Sequence, residues 1–152
     1  TYTDHAQTHM VVAQYFRDTR TPERFEEYVA HSRFLRDINN EGAAKNASYK
    51  EGLQRLEQFV MVRFSDDTTV RPPESAWFGA HSVPEAGQPA LRQSDVYVRD
   101  WLGLAALDKR GALRFHTCDG MHMQLSPACK ELVFGQYVGR PRSPGRWLAM
   151  NA

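Results

Sequence analysis

The stretch Phe59-Val60-Met61-Val62-Arg63-Phe64 constrains this chain more than any other. Six residues rich in β-branched and aromatic side chains define a strand. They are apolar at every position but Arg63, so both pleat faces call for cover, as in a sheet flanked by helices. The polar turn Ser65-Asp66-Asp67-Thr68-Thr69 follows at once. Pro72-Pro73 then closes off any simple continuation, because proline cannot donate to a ladder. A second, shorter strand, Leu113-Arg114-Phe115-His116-Thr117-Cys118, runs into Asp119-Gly120-Met121-His122. An acid past the end of one strand and a histidine past the end of another stand where open α/β sheets keep their chemistry.

Only these two stretches read as buried strands, and a two-stranded sheet is marginal by itself. The expectation is that the rest of the sheet lies outside this sequence. The Phe59–Phe64 strand should then present an unpaired edge and be less buried than its composition demands. A length of 152 residues is enough for one domain with a core. The absence of a starting Met and of a signal-peptide pattern predicts a processed product or a fragment. With 19 basic against 18 acidic residues the chain has no large field, so composition points to no nucleic-acid partner. No apolar run approaches the ~18 residues that a membrane span needs.

The helices are predicted from caps and spacing. Thr21-Pro22-Glu23 starts one that runs to about Ala30, with Phe25, Val29 and Tyr28 inward. Residues 32–38 continue as a further turn burying Phe34, Leu35 and Ile38. Ser48 is predicted to cap a helix to about Gln58 with Leu53 and Leu56 inward. Residues 93–107 form either one helix broken near Gly103 or two short ones. Ser126-Pro127 opens the last, roughly to Tyr137, with Leu132, Val133 and Tyr137 inward. One domain over 1–138 and a loose Pro/Arg-rich tail over 139–152 complete the organisation, with Trp147 and Leu148 packing back.

Strand-then-acid followed by strand-then-histidine is the closing half of the Ser…Asp…His order of α/β-hydrolases. The acid is Asp66 or Asp67, or either simply ends a strand in a polar turn; His122 is a base or an ordinary loop residue. Asp119, three residues from His122, is better explained as a turn former. Trp77 and Phe78 read as a plug beneath a long loop and, compatibly with that, as one wall of an apolar substrate groove. His5 and His9 have i, i+4 spacing but no nearby Cys or carboxylate, so no metal site is predicted. Cys118 and Cys129 either bridge, clamping the loop of His122 for roughly 2–3 kcal/mol, or are two separate buried thiols. Asn46-Ala47-Ser48 is an N-glycosylation sequon.

From about Val12 to Tyr137 the sequence resembles the C-terminal part of the palmitoyl-protein thioesterases, a lysosomal branch of the α/β-hydrolases. The segments that carry the resemblance include Phe34-Leu35-Arg36-Asp37-Ile38-Asn39, Asn46-Ala47-Ser48-Tyr49-Lys50 and the strand 59–64. They continue with Ser75-Ala76-Trp77-Phe78-Gly79, Leu102-Gly103-Leu104 and His122-Met123-Gln124-Leu125-Ser126. Their order and spacing together are specific; any one alone is not. The resemblance implies an incomplete sheet of parallel strands with flanking helices, the C-terminal part of an α/β-hydrolase fold. It implies hydrolysis of palmitoyl-cysteine thioesters without a cofactor, with Asp67 as triad acid and His122 as base. It also implies a glycan on Asn46 and a lysosomal or secreted route. The expected partners are an N-terminal Ser-bearing half of the same protein and S-acylated proteins or peptides as substrate. Two departures stand out: no Gly-x-Ser-x-Gly occurs in these 152 residues, and Asp66 replaces a sequon that relatives carry at the acid turn. A non-catalytic, hydrolase-derived binding or structural subunit is the alternative.

Overall fold

A computed structural model of the chain describes residue 6 and residues 9–79 and 91–138. Its centre is a pair of parallel strands, β1 (Phe59–Phe64) and β2 (Leu113–Cys118), in the register Phe59↔Leu113 through Phe64↔Cys118. The helices are α1 (Pro22–His31), α2 (Leu35–Ile38), α3 (Ala47–Gln54), α4 (Asp95–Val98), α5 (Leu104–Lys109) and α6 (Pro127–Lys130). Short 3₁₀ turns cover Val11–Tyr15, Pro73–Trp77 and Leu91–Gln93. The mixed architecture with its two-strand parallel sheet agrees with part of an α/β-hydrolase-type fold.

Register decides what each face of the sheet meets. Phe59, Met61, Arg63, Leu113, Phe115 and Thr117 share one face, because alternate residues point the same way and paired residues point together. Against it packs the main core of Leu91, Leu102, Leu104, Leu107 and Ala112, from α5 and the segments beside it. The other face carries Val62, Phe64 and Cys118, covered by Cys129, Leu125 and Val133. Arg63, the one charge in the apolar run, is accommodated rather than buried. Its guanidinium lies over the Trp77 ring at 4.1 Å and bonds Glu74 Oε1 at 2.7 Å and Thr117 Oγ1 at 3.1 Å.

β1 is half-covered: Met61 and Phe64 are buried, while the other four residues remain partly accessible. Phe59 N–H donates to the Ala112 carbonyl and Ser65 N–H to that of Cys118. Since parallel ladders use alternate residues, the peptide groups of Val60 and Val62 face the opposite edge. No strand meets that edge among the described residues.

Several helix expectations are corrected. Asn46, not Ser48, caps α3: its Oδ1 accepts from Ser48 N at 3.0 Å and from Ser48 Oγ at 2.7 Å. An asparagine in extended backbone competes equally well for the cap, and it stands first. That helix ends at Gln54 rather than Gln58, leaving Leu56 exposed. Phe34 and Ile38 are exposed rather than buried; α2 is a single turn with only Leu35 turned partly inward. In α1 the fully buried residue is Tyr28, with Phe25 and Val29 at the margin. Its phenol donates to Glu41 Oε2 at 2.7 Å, so the polar tip goes in without an unmet hydrogen bond. Burial, then the Glu41 charge, pushes that phenol's pKa well up.

Residues 93–107 resolve into the shorter pieces, with Gly103 at φ +84° as N-cap of α5. A Cβ there would stand 2.6 Å from Gln54 Cγ, so the position excludes larger residues on two counts. The last helix starts at Pro127, with Ser126 Oγ accepting from Cys129 N, and passes through a π-type turn over Glu131–Gly135. His5, the loop 80–90 and the tail 139–152 with Trp147 and Leu148 lie outside the described residues.

Leu104 has no solvent exposure. Leu104→Ala should cost about 2–5 kcal/mol in chemical denaturation, the range for a buried leucine. Val98→Ala, at an exposed position, should stay within about 0.5 kcal/mol of the parent.

Candidate active site

Both parallel strands stop at the same level, so their C-terminal turns lie side by side. His122 Nδ1 stands 2.9 Å from Asp67 Oδ2. Asp67 Oδ1 accepts from the amides of Thr69 at 2.8 Å and Val70 at 2.9 Å. These amides come from the turn that the carboxylate itself begins, an Asx-type arrangement favoured by aspartate. The side chain is thus fixed by three hydrogen bonds of its own turn and partner before any substrate arrives: two amides and the imidazole. Asp67's side chain is 5% exposed and that of His122 is 40% exposed. The acid is sheltered and the imidazole is presented.

Electrostatics follow from this geometry. Burial tends to raise the Asp67 carboxyl pKa, but the His122 hydrogen bond and the Val70 and Thr69 amides outweigh it, leaving the group below its ordinary value. A carboxylate kept ionised at Nδ1 selects the Nδ1–H tautomer and leaves Nε2 as the basic nitrogen. Such a pair can take a proton at Nε2 and stabilise the resulting cation.

The neighbouring residues sort themselves clearly. Asp66 is exposed and makes no contact with His122; its carboxylate accepts from Ser65 Oγ at 3.3 Å. Asp119 is exposed and has no part in the pair. Cys118 and Cys129 are joined by a disulfide, with Cα atoms 5.4 Å apart, tying the end of β2 to α6 on the far side of the histidine loop. Trp77 and Phe78 are not brought to the pair. Trp77 donates Nε1–H to the Met61 carbonyl at 3.1 Å and meets Phe115 edge-on, while Phe78 packs by Phe59 at the other end of β1. Both rings pack against β1 and β2 residues of the sheet. Asn46 is on the surface at the start of α3. Among the described residues no cluster of His, Cys, Asp and Glu is suited to a metal.

Three residues escaped the sequence reading. Asn40 is buried in left-handed backbone, and its side chain bonds the Asn46 amide and the carbonyls of Asn46 and Trp101. Ser65 and Gln124 bond the turn that carries His122. Single polar residues in polar turns give no periodic signal by which to find them.

A group whose folded pKa is depressed stabilises above its unfolded pKa, and that contribution is lost as pH falls through the folded value. The stability difference between the parent and Asp67→Asn should therefore shrink as pH is lowered from 6 toward 3 in denaturation series. Replacing Cys118 and Cys129 together by Ala should lower stability by about 2–3 kcal/mol, as expected for a closed loop of this size, read from the same series.

The chain resembles known proteins in a consistent way. The palmitoyl protein thioesterase family model matches residues 1–122. Palmitoyl-protein thioesterase 3 of Dictyostelium discoideum is 38% identical over 117 residues, 76% of this chain and 39% of that protein. Palmitoyl-protein thioesterase 1 of Caenorhabditis elegans is 37% identical over 125 residues, 82% of this chain and 41% of that one. Lysosomal thioesterase PPT2-B of Xenopus laevis is 31% identical over 128 residues, 84% and 43% respectively. The chain spans about two-fifths of the length of these curated relatives. Its own match over most of its length shows that it belongs to the palmitoyl-protein thioesterase family.

Proposed function

We propose that this chain is the acid-and-base half of an acyl-protein thioesterase, acting on long-chain acyl groups held as cysteine thioesters. The observation that carries the reading is the 2.9 Å contact between Asp67 Oδ2 and His122 Nδ1 at the ends of two parallel strands. The nucleophilic serine comes from a Ser-bearing half outside these residues, since the chain holds no Gly-x-Ser-x-Gly elbow.

His122 acts as base and then as acid in each of the two half-reactions. His122 Nε2 takes the serine proton as Oγ attacks the thioester carbonyl, and Asp67 steadies the imidazolium through Nδ1–H. The tetrahedral oxyanion collapses, the C–S bond breaks, and the leaving sulfur receives the proton from Nε2 as a free cysteine thiol. Water then gives its proton to Nε2 and attacks the acyl-serine. Release of the fatty acid returns the serine and the neutral imidazole. No cofactor enters.

The open side of β1, with the peptide groups of Val60 and Val62 turned outward, is where a strand of the Ser-bearing half would pair. The lysosomal thioesterases among the relatives support the same compartment for this chain. Asn46 supports it too: a glycan on its side-chain nitrogen would leave the capping oxygen in place.

In the polypeptide that carries the serine, Asp67→Asn and His122→Ala should each lower kcat on a palmitoyl thioester by about 10³–10⁴-fold. Asp66→Asn and Asp119→Asn should change it little. The 152-residue chain by itself should show no turnover. Hydrolysis by that chain alone, abolished in His122→Ala, would reveal a nucleophile of its own and refute the division of labour.

A further inference from the structure

The β1–β2 ladder runs its backbone bonds from an N–H to a carbonyl 53 residues on, as from Phe59 to Ala112 and from Ser65 to Cys118 at 3.0 Å. Beyond Ser65 the ladder tightens: the next bond, to the Gly120 carbonyl at 3.0 Å, comes from Asp66 N–H, 54 residues away. Past the strand ends side chains take over, joining Ser65 to Gly120 and Asp67 to His122.

This junction is held from both sides. Gly120 N–H donates to Ser65 Oγ at 3.0 Å, and the Ser65 hydroxyl donates in turn to Asp66 Oδ2 at 3.3 Å. On the other side, Gln124 Oε1 accepts from Met121 N–H at 2.9 Å. Gly120 itself is at φ +119°, where a Cβ would meet Gln124 Oε1 at 2.6 Å. The peptide groups of Gly120 are therefore clamped to the acid-bearing turn by one backbone bond and one side-chain bond, two residues before His122 and two residues before Asp67.

We infer that Ser65 is a positioning residue for the imidazole. Its hydroxyl ties the histidine turn to the acid turn at Gly120, two residues before His122, so that His122 Nδ1 meets Asp67, and it is not itself a reacting group. An alanine leaves Gly120 N–H to water, which can satisfy the donor but cannot hold the two turns at one spacing. The consequence for turnover rests on the thioesterase reading above; the consequence for the imidazole does not.

The test compares Ser65→Ala and Ser65→Thr in the polypeptide that carries the serine. Long-range ¹⁵N NMR of the His122 ring should report the Nδ1–H tautomer in the parent, a mixture of tautomers in Ser65→Ala, and the parent pattern again in Ser65→Thr. In parallel, kcat should fall about 5–20-fold in Ser65→Ala with KM unchanged, and recover in Ser65→Thr, as expected for a misaimed base. A parent-like His122 ring in Ser65→Ala would overturn the inference. So would a Ser65→Thr variant that fails to restore it, since the hydroxyl would then not be the agent. A disturbed ring with unchanged turnover would uphold Ser65 and refute the catalytic role of His122.

Discussion

Everything near the histidine depends on the parallel pairing of two six-residue strands. Parallel strands end at the same level, so whatever follows each C-terminus is delivered to one rim. Antiparallel pairing of the same two segments would send the acid and the histidine to opposite ends of the sheet. The register adds a second constraint: with Phe64 opposite Cys118, the turns that follow are already neighbours. Asp67 and His122 then need only a short reach to meet, although 55 residues separate them in sequence.

The apolar packing serves this pairing on both faces. The leucines of α5 and its neighbours hold the Met61–Leu113 side, while the disulfide and Val133 hold the Phe64–Cys118 side. Cys118 contributes at three levels: it ends the ladder, accepts the Ser65 amide and anchors α6 through Cys129. The loop 119–126 is thus tied at both ends, which limits how far the imidazole can wander. Rigidity of this kind suits the role of base proposed for His122.

Polar side chains settle the irregular segments where no periodic pattern could. Asn40 connects the sequon loop to Trp101, and Lys45 lies 4.5 Å over the ring of that same tryptophan. Arg17 and Tyr28 converge on Glu41, closing the chain ahead of α1 onto the loop after α2. These are single contacts between residues remote in sequence, each with its donors and acceptors met.

The sequence by itself determined the strands and their chemistry-bearing ends. Composition and Pro72-Pro73 fix β1, the Thr21-Pro22 start fixes α1, and Ser126-Pro127 fixes α6, because each signal is local and is read by the backbone itself. The acid turn and the histidine turn were legible for the same reason, and family resemblance singled out Asp67 from Asp66. What only the tertiary structure decided is anything that needs a partner from elsewhere. Phe34 and Ile38 look like core residues in a short apolar run, yet both stay exposed, the Phe34 ring meeting that of Tyr15 at 5.1 Å on the surface. Trp77 and Phe78 are legible as an aromatic pair, but the surface they cover is set by Met61, Phe115 and Phe59. The bond that ties the histidine turn to the acid turn forms only where Ser65 meets Gly120 across 55 residues. A contact between two turns leaves no imprint on either turn alone, so it becomes visible only once the parallel strands have set the turns side by side.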